Sequence, residues 1–382
     1  SMLRAAAKNY QHVIALSNIE QYDNFISAYN INSGNFSIND RVKYAHEVFK
    51  LTYKYDQMIY NYFCNDELKD TTKFYNLSKV DDLRYGENPH QKAQFFKSNN
   101  NDLSWFQHQG KELSYNNYFD LETAFKVINQ FDQIACSIIK HANPCGFSIG
   151  KTLIDAYENA VSCDSISYFG GIVGFNRTVD VNLAHKLVKP FLECIIAPSY
   201  SNEALEVFKK KKNLRIIEIE SSSKFVNEKI LRSVMGGVII QDSDKKTVDV
   251  YNEINIVTKE KPTLANLKAM DLGWKIIKYI KSNAILLCND QKIIGVGAGQ
   301  MSRIDSLKIA ISKAKENSLN LSGCTMISDA FFPFDDCLKL ASSVGVSSVI
   351  QPGGSIKDEE IIKSADALSM SMAFTDIRHF NH

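Results

Sequence analysis

Between Ser37 and Phe63 the positions Val42, Ala45, Phe49, Thr52, Ile59 and Phe63 recur at helical spacing, behind a Ser37-x-x-Asp40 start that resembles a capping box. The pattern predicts one long amphipathic helix. Beyond Leu83 the pattern changes. The short apolar runs IACSIIK, GGIVGF, ECIIAP and LRIIEIE alternate with amphipathic stretches, two of them near 151–162 and 179–191. A second series runs AILLC, KIIGVG, CTMIS, SSVIQP and SMSMAF, with helices expected over 263–281, 302–315, 335–343 and 358–366. Such alternation predicts βα units around largely buried sheets, an α/β chain in two halves of comparable size. The halves share no residue-level repeat, so duplication rests on element order alone.

Length and composition narrow the classes. A chain of 382 residues, 45% hydrophobic, is too long for one ordinary core and is expected to form two or three packed units. A net charge of +1 gives no footprint for nucleic acid. The one tight basic run, Lys209 to Lys212, reads as a solvated helix end. No stretch approaches the ~20 apolar residues that span a bilayer, and the N-terminus lacks a signal-peptide pattern, so a cytoplasmic protein that does not bind membranes is expected. Ser1 ahead of Met2 reads as a remnant of tag cleavage, and the chain is expected to be a fragment. The eight cysteines stand singly without a CxxC pair and the histidines without HxxxH, which argues for free thiols in a reducing compartment and against zinc.

Candidate chemistry lies where strands are expected to end. Lys140-His141-Ala142-Asn143-Pro144-Cys145-Gly146 sets a cation and an imidazole side by side after an apolar strand. A lysine there stabilises developing negative charge and a histidine removes a proton near neutral pH; a turn with a structural histidine is the plainer alternative. Arg84-Tyr85-Gly86-Glu87-Asn88-Pro89-His90 offers a guanidinium for phosphate and a ring for stacking. Phe169-Gly170-Gly171 permits close backbone approach, to a ligand or within a tight turn. The run Gly295, Gly297, Gly299, Gln300 invites a dinucleotide reading and fails it, because GxGxxG needs glycine at 300 and no acid follows at the right distance. Ser328 to Asp336 and Gln351 to Ser355 follow apolar strands and set Phe and Pro beside acids, which suits a flat aromatic ligand or a core turn.

Together these segments resemble a known family. LRYGENPHQ, KHANPCG, FGGIVGFNR, GVGAGQMSR, SDAFFPF, QPGGSI and the terminal RHFNH occur in the order of the transformylase portion of the bifunctional purine biosynthesis family, whose members carry 5-aminoimidazole-4-carboxamide ribonucleotide (AICAR) transformylase and inosine monophosphate (IMP) cyclohydrolase activities. LRAAAKN and the residues to about 70 resemble the tail of the cyclohydrolase domain. The resemblance implies residues 1–75 as that tail with a linker helix, 76–222 as a first transformylase unit, 223–310 as a connecting region and 311–382 as a second unit. It implies two cytidine-deaminase-like α/β/α units without zinc, a homodimer with sites at the subunit interface, and 10-formyltetrahydrofolate as co-substrate. The implied catalytic residues are Lys140, His141 and Asn283. Arg84, Tyr85, Asn117, Phe169, Gly170, Glu193, Arg378 and Phe380 match nucleotide-binding positions. Arg303, Ile304, Phe331, Pro333, Phe334 and Asp336 match the folate side, and the Asp329 loop with His382 a potassium-binding region. Lys8 matches a ring-closure position, but the front of the cyclohydrolase site is not in the sequence, so no useful cyclohydrolase activity is expected. A non-catalytic ligand-binding homologue of the same fold and a zinc-dependent deaminase-like hydrolase are the competing classes.

Overall fold

Ser37 does cap a long helix: in the computed structural model, which describes residues 1–64, 72, 74–98, 105–220 and 229–382, its Oγ accepts the Asp40 amide at 3.1 Å. The described residues separate into two compact units, Ser1–Tyr75 and Asn76–His382. The first holds α1 (Met2–Lys8), α2 (Gln21–Ile31) and α3 (Ile38–Phe63). The expected apolar stripe of α3 is buried only in part. Ala45 and Val48 join Ala7 in a small core, whereas Val42, Ile59 and Phe63 are exposed, because two short helices offer too little surface to cover a helix of 26 residues. The expected boundary at 222/223 lies outside the described residues.

The second unit opens with an antiparallel ribbon, β1 (Leu77–Leu83) and β2 (Ala93–Ser98). There follow β3 (Trp105–Gln109), α4 (Tyr115–Ile128), β4 (Ala135–Lys140), β5 (Asn143–Ile149), α5 (Leu153–Val161), β6 (Ile172–Phe175), α6 (Val181–Leu187), β7 (Cys194–Ala197), α7 (Asn202–Phe208) and β8 (Arg215–Ile219). A second ribbon, β9 (Lys229–Val234) and β10 (Gly237–Asp242), separates these from β11 (Asn255–Ile256), α8 (Leu264–Ile277), β12 (Ile285–Cys288), β13 (Ile293–Gly297), α9 (Arg303–Glu316), β14 (Thr325–Ser328), α10 (Asp336–Ser343), β15 (Ser348–Gln351), α11 (Asp358–Ala367) and β16 (Ser371–Phe374).

Two six-stranded mixed sheets result, ordered β3-β8-β7-β6-β4-β5 and β11-β16-β15-β14-β12-β13. In each, three parallel strands follow an antiparallel edge and end in an antiparallel hairpin. Element order and strand order are therefore the same in both halves. A residue-level echo exists after all. Ser114 and Asn117 form the capping box of α4, as Thr263 and Asn266 form that of α8. Asn176, just past β6, accepts the Ala135 amide at 2.9 Å, as Asp329, just past β14, accepts the Ala284 amide at 3.1 Å. These are single positions spread over 150 residues, too sparse to stand out as a repeat.

This topology corrects two expectations. From residue 229 on, the stretch expected as a connection is more than that: β11 pairs with β16 and β12 with β14 in the second sheet, β13 pairs with β12, and α8 packs against the sheet, contacts that only the folded chain reveals. Nor does IACSIIK lead straight into a helix: it turns back through β5 as a hairpin, as AILLC does into KIIGVG. The central strands are buried on both faces, which is why they read as continuous apolar runs. α4 covers one face of the first sheet and α5, α6 and α7 the other. α8 packs into a core that contains residues of both halves, among them Phe147, Cys163, Leu286 and Ile327.

The glycine run at 295–299 also finds its reason. A Cβ on Gly297 would stand 1.8 Å from the Ser306 carbonyl oxygen, and one on Gly295 2.2 Å from that of Ala310. The glycines let β13 lie against α9. Gly297→Ala is expected to destabilise the chain by about 1–3 kcal/mol through overpacking; an unchanged midpoint in a urea unfolding curve would show that α9 gives way freely.

Candidate functional site

β4 ends at Lys140 and returns through a two-residue turn, His141–Ala142, with Lys140 paired to Asn143. Both turn residues have positive φ, 53° and 57°, the primed geometry that matches the twist of a hairpin and normally favours Asn or Gly. Asp120 on α4 braces it: its Oδ1 accepts the Ala142 amide at 2.5 Å. Burial raises the Asp120 pKa, partly opposed by hydrogen bonds from the Ala142 and His141 amides and by the nearby His141 and Lys140. His141 is exposed.

Because β4 runs antiparallel to β6, Lys140 sits at the amino ends of the parallel strands. There its Nζ donates to the Phe169 carbonyl at 2.6 Å. A Cβ on Gly170, where φ is 69°, would come within 3.2 Å of both that ammonium and the Phe191 ring. Phe169 and Phe191 are largely exposed and 5.3 Å apart, leaving two rings beside the cation. Glu193 immediately precedes β7, and its carboxylate is held at 2.7 Å by the buried guanidinium of Arg215. Arg84 lies over the Tyr85 ring at 5.4 Å. Their loop reaches the start of α4 through Asn116, whose amide donates to the Glu87 carbonyl at 3.3 Å. The neighbouring Asn117 is buried, with Oδ1 accepting the Ser114 amide at 3.0 Å.

A second group gathers at the carboxyl ends of β14, β15 and β16. Asp329 is fully buried at its centre. Its Oδ1 takes Arg303 at 2.7 Å, and its Oδ2 takes the Ser282 hydroxyl at 2.6 Å and the Ala284 amide at 3.1 Å. Arg303 also donates to Ser328 Oγ at 2.8 Å. Asn283, between those two donors, turns its Nδ2 to the carbonyls of Gln300 and Met301 at 2.9 and 3.1 Å. Carbonyls only accept, so this fixes which end of the amide is which and leaves Oδ1 as an acceptor. The C-terminal tail is pinned by buried His379, whose amide donates to the Asp329 carbonyl and whose Nδ1 lies 2.5 Å from Asp244. Arg378 and Phe380, on either side of it, are exposed, with the guanidinium 4.4 Å above the ring. Arg378 lines a cleft of about 270 Å³ with Phe331, Pro352, Gly353, Gly354 and Asp376. Pro333 and Phe334 are exposed in the loop that leaves β14, Asp336 is exposed at the start of α10, and Ile304 is half-buried at the start of α9.

Asn143 joins the groups: its Oδ1 accepts the Lys281 amide at 2.9 Å, two residues before Asn283. The hairpin tip of Lys140 and His141 is thus linked through Asn143 to the segment that carries Asn283, whereas Arg378 and Phe380 belong to the second group. Asp120, Asn143, Arg215, Lys281 and Ser282 went unforeseen, since each acts through a contact distant in sequence. A larger apolar cavity of about 400 Å³, lined by Phe95, Trp105, Tyr118 and Ile217 among others, lies toward the carboxyl ends of β7 and β8, away from Lys140. Its lining suits packing better than chemistry.

Among the described residues, no three His, Cys, Asp or Glu side chains are grouped to hold a metal ion, and no helix is long and apolar enough to cross a membrane. At the suggested potassium region the Asp329 carboxylate already has three donors, one of them a guanidinium. The His382 carbonyl accepts from Arg232 and Lys281. These residues balance their charges among themselves and do not fit a cation at the carboxylate.

Residues 6–313 match the family model described as AICARFT/IMPCHase bienzyme. The chain is 44% identical over 397 aligned positions to the bifunctional purine biosynthesis protein PurH of Prochlorococcus marinus, an alignment that covers all of this chain and 75% of that protein. PurH of Halalkalibacterium halodurans and of Rippkaea orientalis are each 42% identical with the same coverage.

Proposed function

The chain belongs to the AICARFT/IMPCHase bienzyme family, and from that premise we propose how it transfers the formyl group of 10-formyltetrahydrofolate to the 5-amino group of AICAR, giving formyl-AICAR (FAICAR) and tetrahydrofolate. The observation that carries the reading is the hairpin tip: Lys140 and His141 are presented side by side and tied through Asn143 to the turn of Asn283.

The substrate amine is conjugated with its ring and carboxamide, so it attacks well only as it loses a proton. His141, exposed at the tip, is the base that takes it. As the amine nitrogen bonds to the formyl carbon, negative charge grows on the formyl oxygen. Lys140 supplies the opposing charge, and a donor so placed is worth roughly 3 kcal/mol on the oxyanion-hole scale. The bond from the carbon to the folate nitrogen then breaks, the electron pair stays on that nitrogen, and the proton held by His141 neutralises it. Asn283, with Oδ1 free to accept, orients the amine hydrogen that remains. Phe169, Gly170, Arg84, Tyr85, Asn117 and Glu193 frame the nucleotide, and Phe331, Pro333, Phe334 and Asp336 the folate. Arg303 serves that side by holding Asp329, not as a free cation, and Ile304 packs beneath it. Arg378 and Phe380 reach the nucleotide from the second group. Release of tetrahydrofolate, followed by absorbance with AICAR present or omitted, tests the reaction: nucleotide-dependent turnover supports it, and a folded protein without turnover refutes it.

The active form is a homodimer. Support comes from the β9–β10 ribbon, both strands of which are exposed throughout although they carry Ile230, Leu231, Val238, Ile239 and Ile240. A lone two-stranded ribbon is marginal in water, and an apolar one calls for a covering surface. The double substitution Ile239→Lys, Leu231→Lys is expected to convert the dimer to monomer in sedimentation velocity at micromolar protein and to lower turnover with it. A dimer that survives both charges would place the interface elsewhere.

A further inference from the structure

We propose that Asp120 is a positioning residue for the transfer: its carboxylate holds the backbone of the His141–Ala142 turn in the left-handed conformation that presents Lys140 and His141 to the substrates. The inference rests on the catalytic reading of that pair. Two consecutive non-glycine residues at φ 53° and 57° are disfavoured by contact of Cβ with the backbone, so the turn needs an external brace. Asp120 provides it, its Oδ1 accepting from the Ala142 amide at 2.5 Å. The brace is stiff because α4 is fixed at its start by the Ser114 capping box and along its length by Leu121, Ala124 and Phe125 in the core.

The other half of the molecule serves as an internal control. Six residues after the capping residue, where α4 has Asp120, α8 has Ala269. The hairpin that corresponds to β4–β5 there is β12–β13, and its loop is held from within, with Asn289 Oδ1 accepting the amides of Gln291 and Lys292 at 3.0 and 2.8 Å. The turn that carries Lys140 and His141 uses its residues for chemistry and takes its support from the helix. Burial raises the Asp120 pKa, a cost that helix α4 sustains at the one turn where the site needs it.

Steady-state kinetics on Asp120→Ala, Asp120→Asn, the double variant Asp120→Ala/Ala142→Gly and His141→Ala test this, with thermal unfolding run alongside. Asp120→Ala is expected to lower kcat by about 10- to 100-fold with both KM values little changed, the size expected for a displaced catalytic group. Asp120→Asn keeps an acceptor oxygen and should retain most of kcat. Glycine at 142 adopts the turn unaided and should restore much of what Asp120→Ala loses. A kcat unchanged in Asp120→Ala, no recovery with glycine, or an Asp120→Asn as impaired as alanine would each overturn the inference. Full turnover in His141→Ala would instead overturn the catalytic reading on which it stands.

Discussion

Replacing His141 by alanine should lower AICAR-dependent release of tetrahydrofolate by about 10²- to 10⁴-fold, the range that a positioned general base contributes, while leaving the unfolding midpoint nearly unchanged. The second half of that expectation follows from position. The imidazole is exposed at the tip of a two-residue turn, and the hydrogen bonds that hold the turn run through backbone atoms and Asp120, which alanine keeps. The loss should appear in kcat with the nucleotide saturating, because the proton leaves only as the new bond forms. Turnover within a few-fold of wild type would remove His141 from the mechanism and leave Lys140 with the oxyanion alone.

Asp329→Ala should be the most destabilising single substitution, by about 3–5 kcal/mol, since it strands a buried guanidinium without its counter-charge. The same change strips the Ser282 hydroxyl and the Ala284 amide of their acceptor. It thereby loosens the turn of Asn283 as well as the seat of Arg303. Guanidinium chloride unfolding measures the effect, and Arg303→Ala should show a comparable loss. If Asp329→Ala stayed within 1 kcal/mol of wild type, water would have to reach the pair readily and its burial would count for little.

Much of this chain is legible without coordinates. The strands IACSIIK, GGIVGF, ECIIAP and LRIIEIE announce themselves because sheets covered on both faces demand unbroken apolar runs, and the helices between them by their period. Ser37 announces α3 by its capping chemistry. The ordered motifs point to the family before any contact is known, and Lys140-His141 is visible as a cation beside an imidazole at a strand end, a pattern that a turn with a structural histidine shares.

Local pattern carries no information about partners distant in the chain, and there the sequence falls silent. Strand direction is such a case: IACSIIK has the same apolar text whether it runs with β6 or against it, and the antiparallel course places Lys140 at the amino ends of the parallel strands. Glu193 and Arg303 look like free charges in the sequence, yet each is engaged by an opposite charge more than twenty residues away. The glycines at 295 and 297 fail the dinucleotide fingerprint in the sequence, but their reason shows only when α9 is seen to lie against them. Composition, period and motif thus determined which elements form and which chemistry the chain can carry. Only tertiary structure decided which charges are spent on holding the fold, because an ion pair or a close backbone approach is a property of two distant segments at once and is written in neither alone.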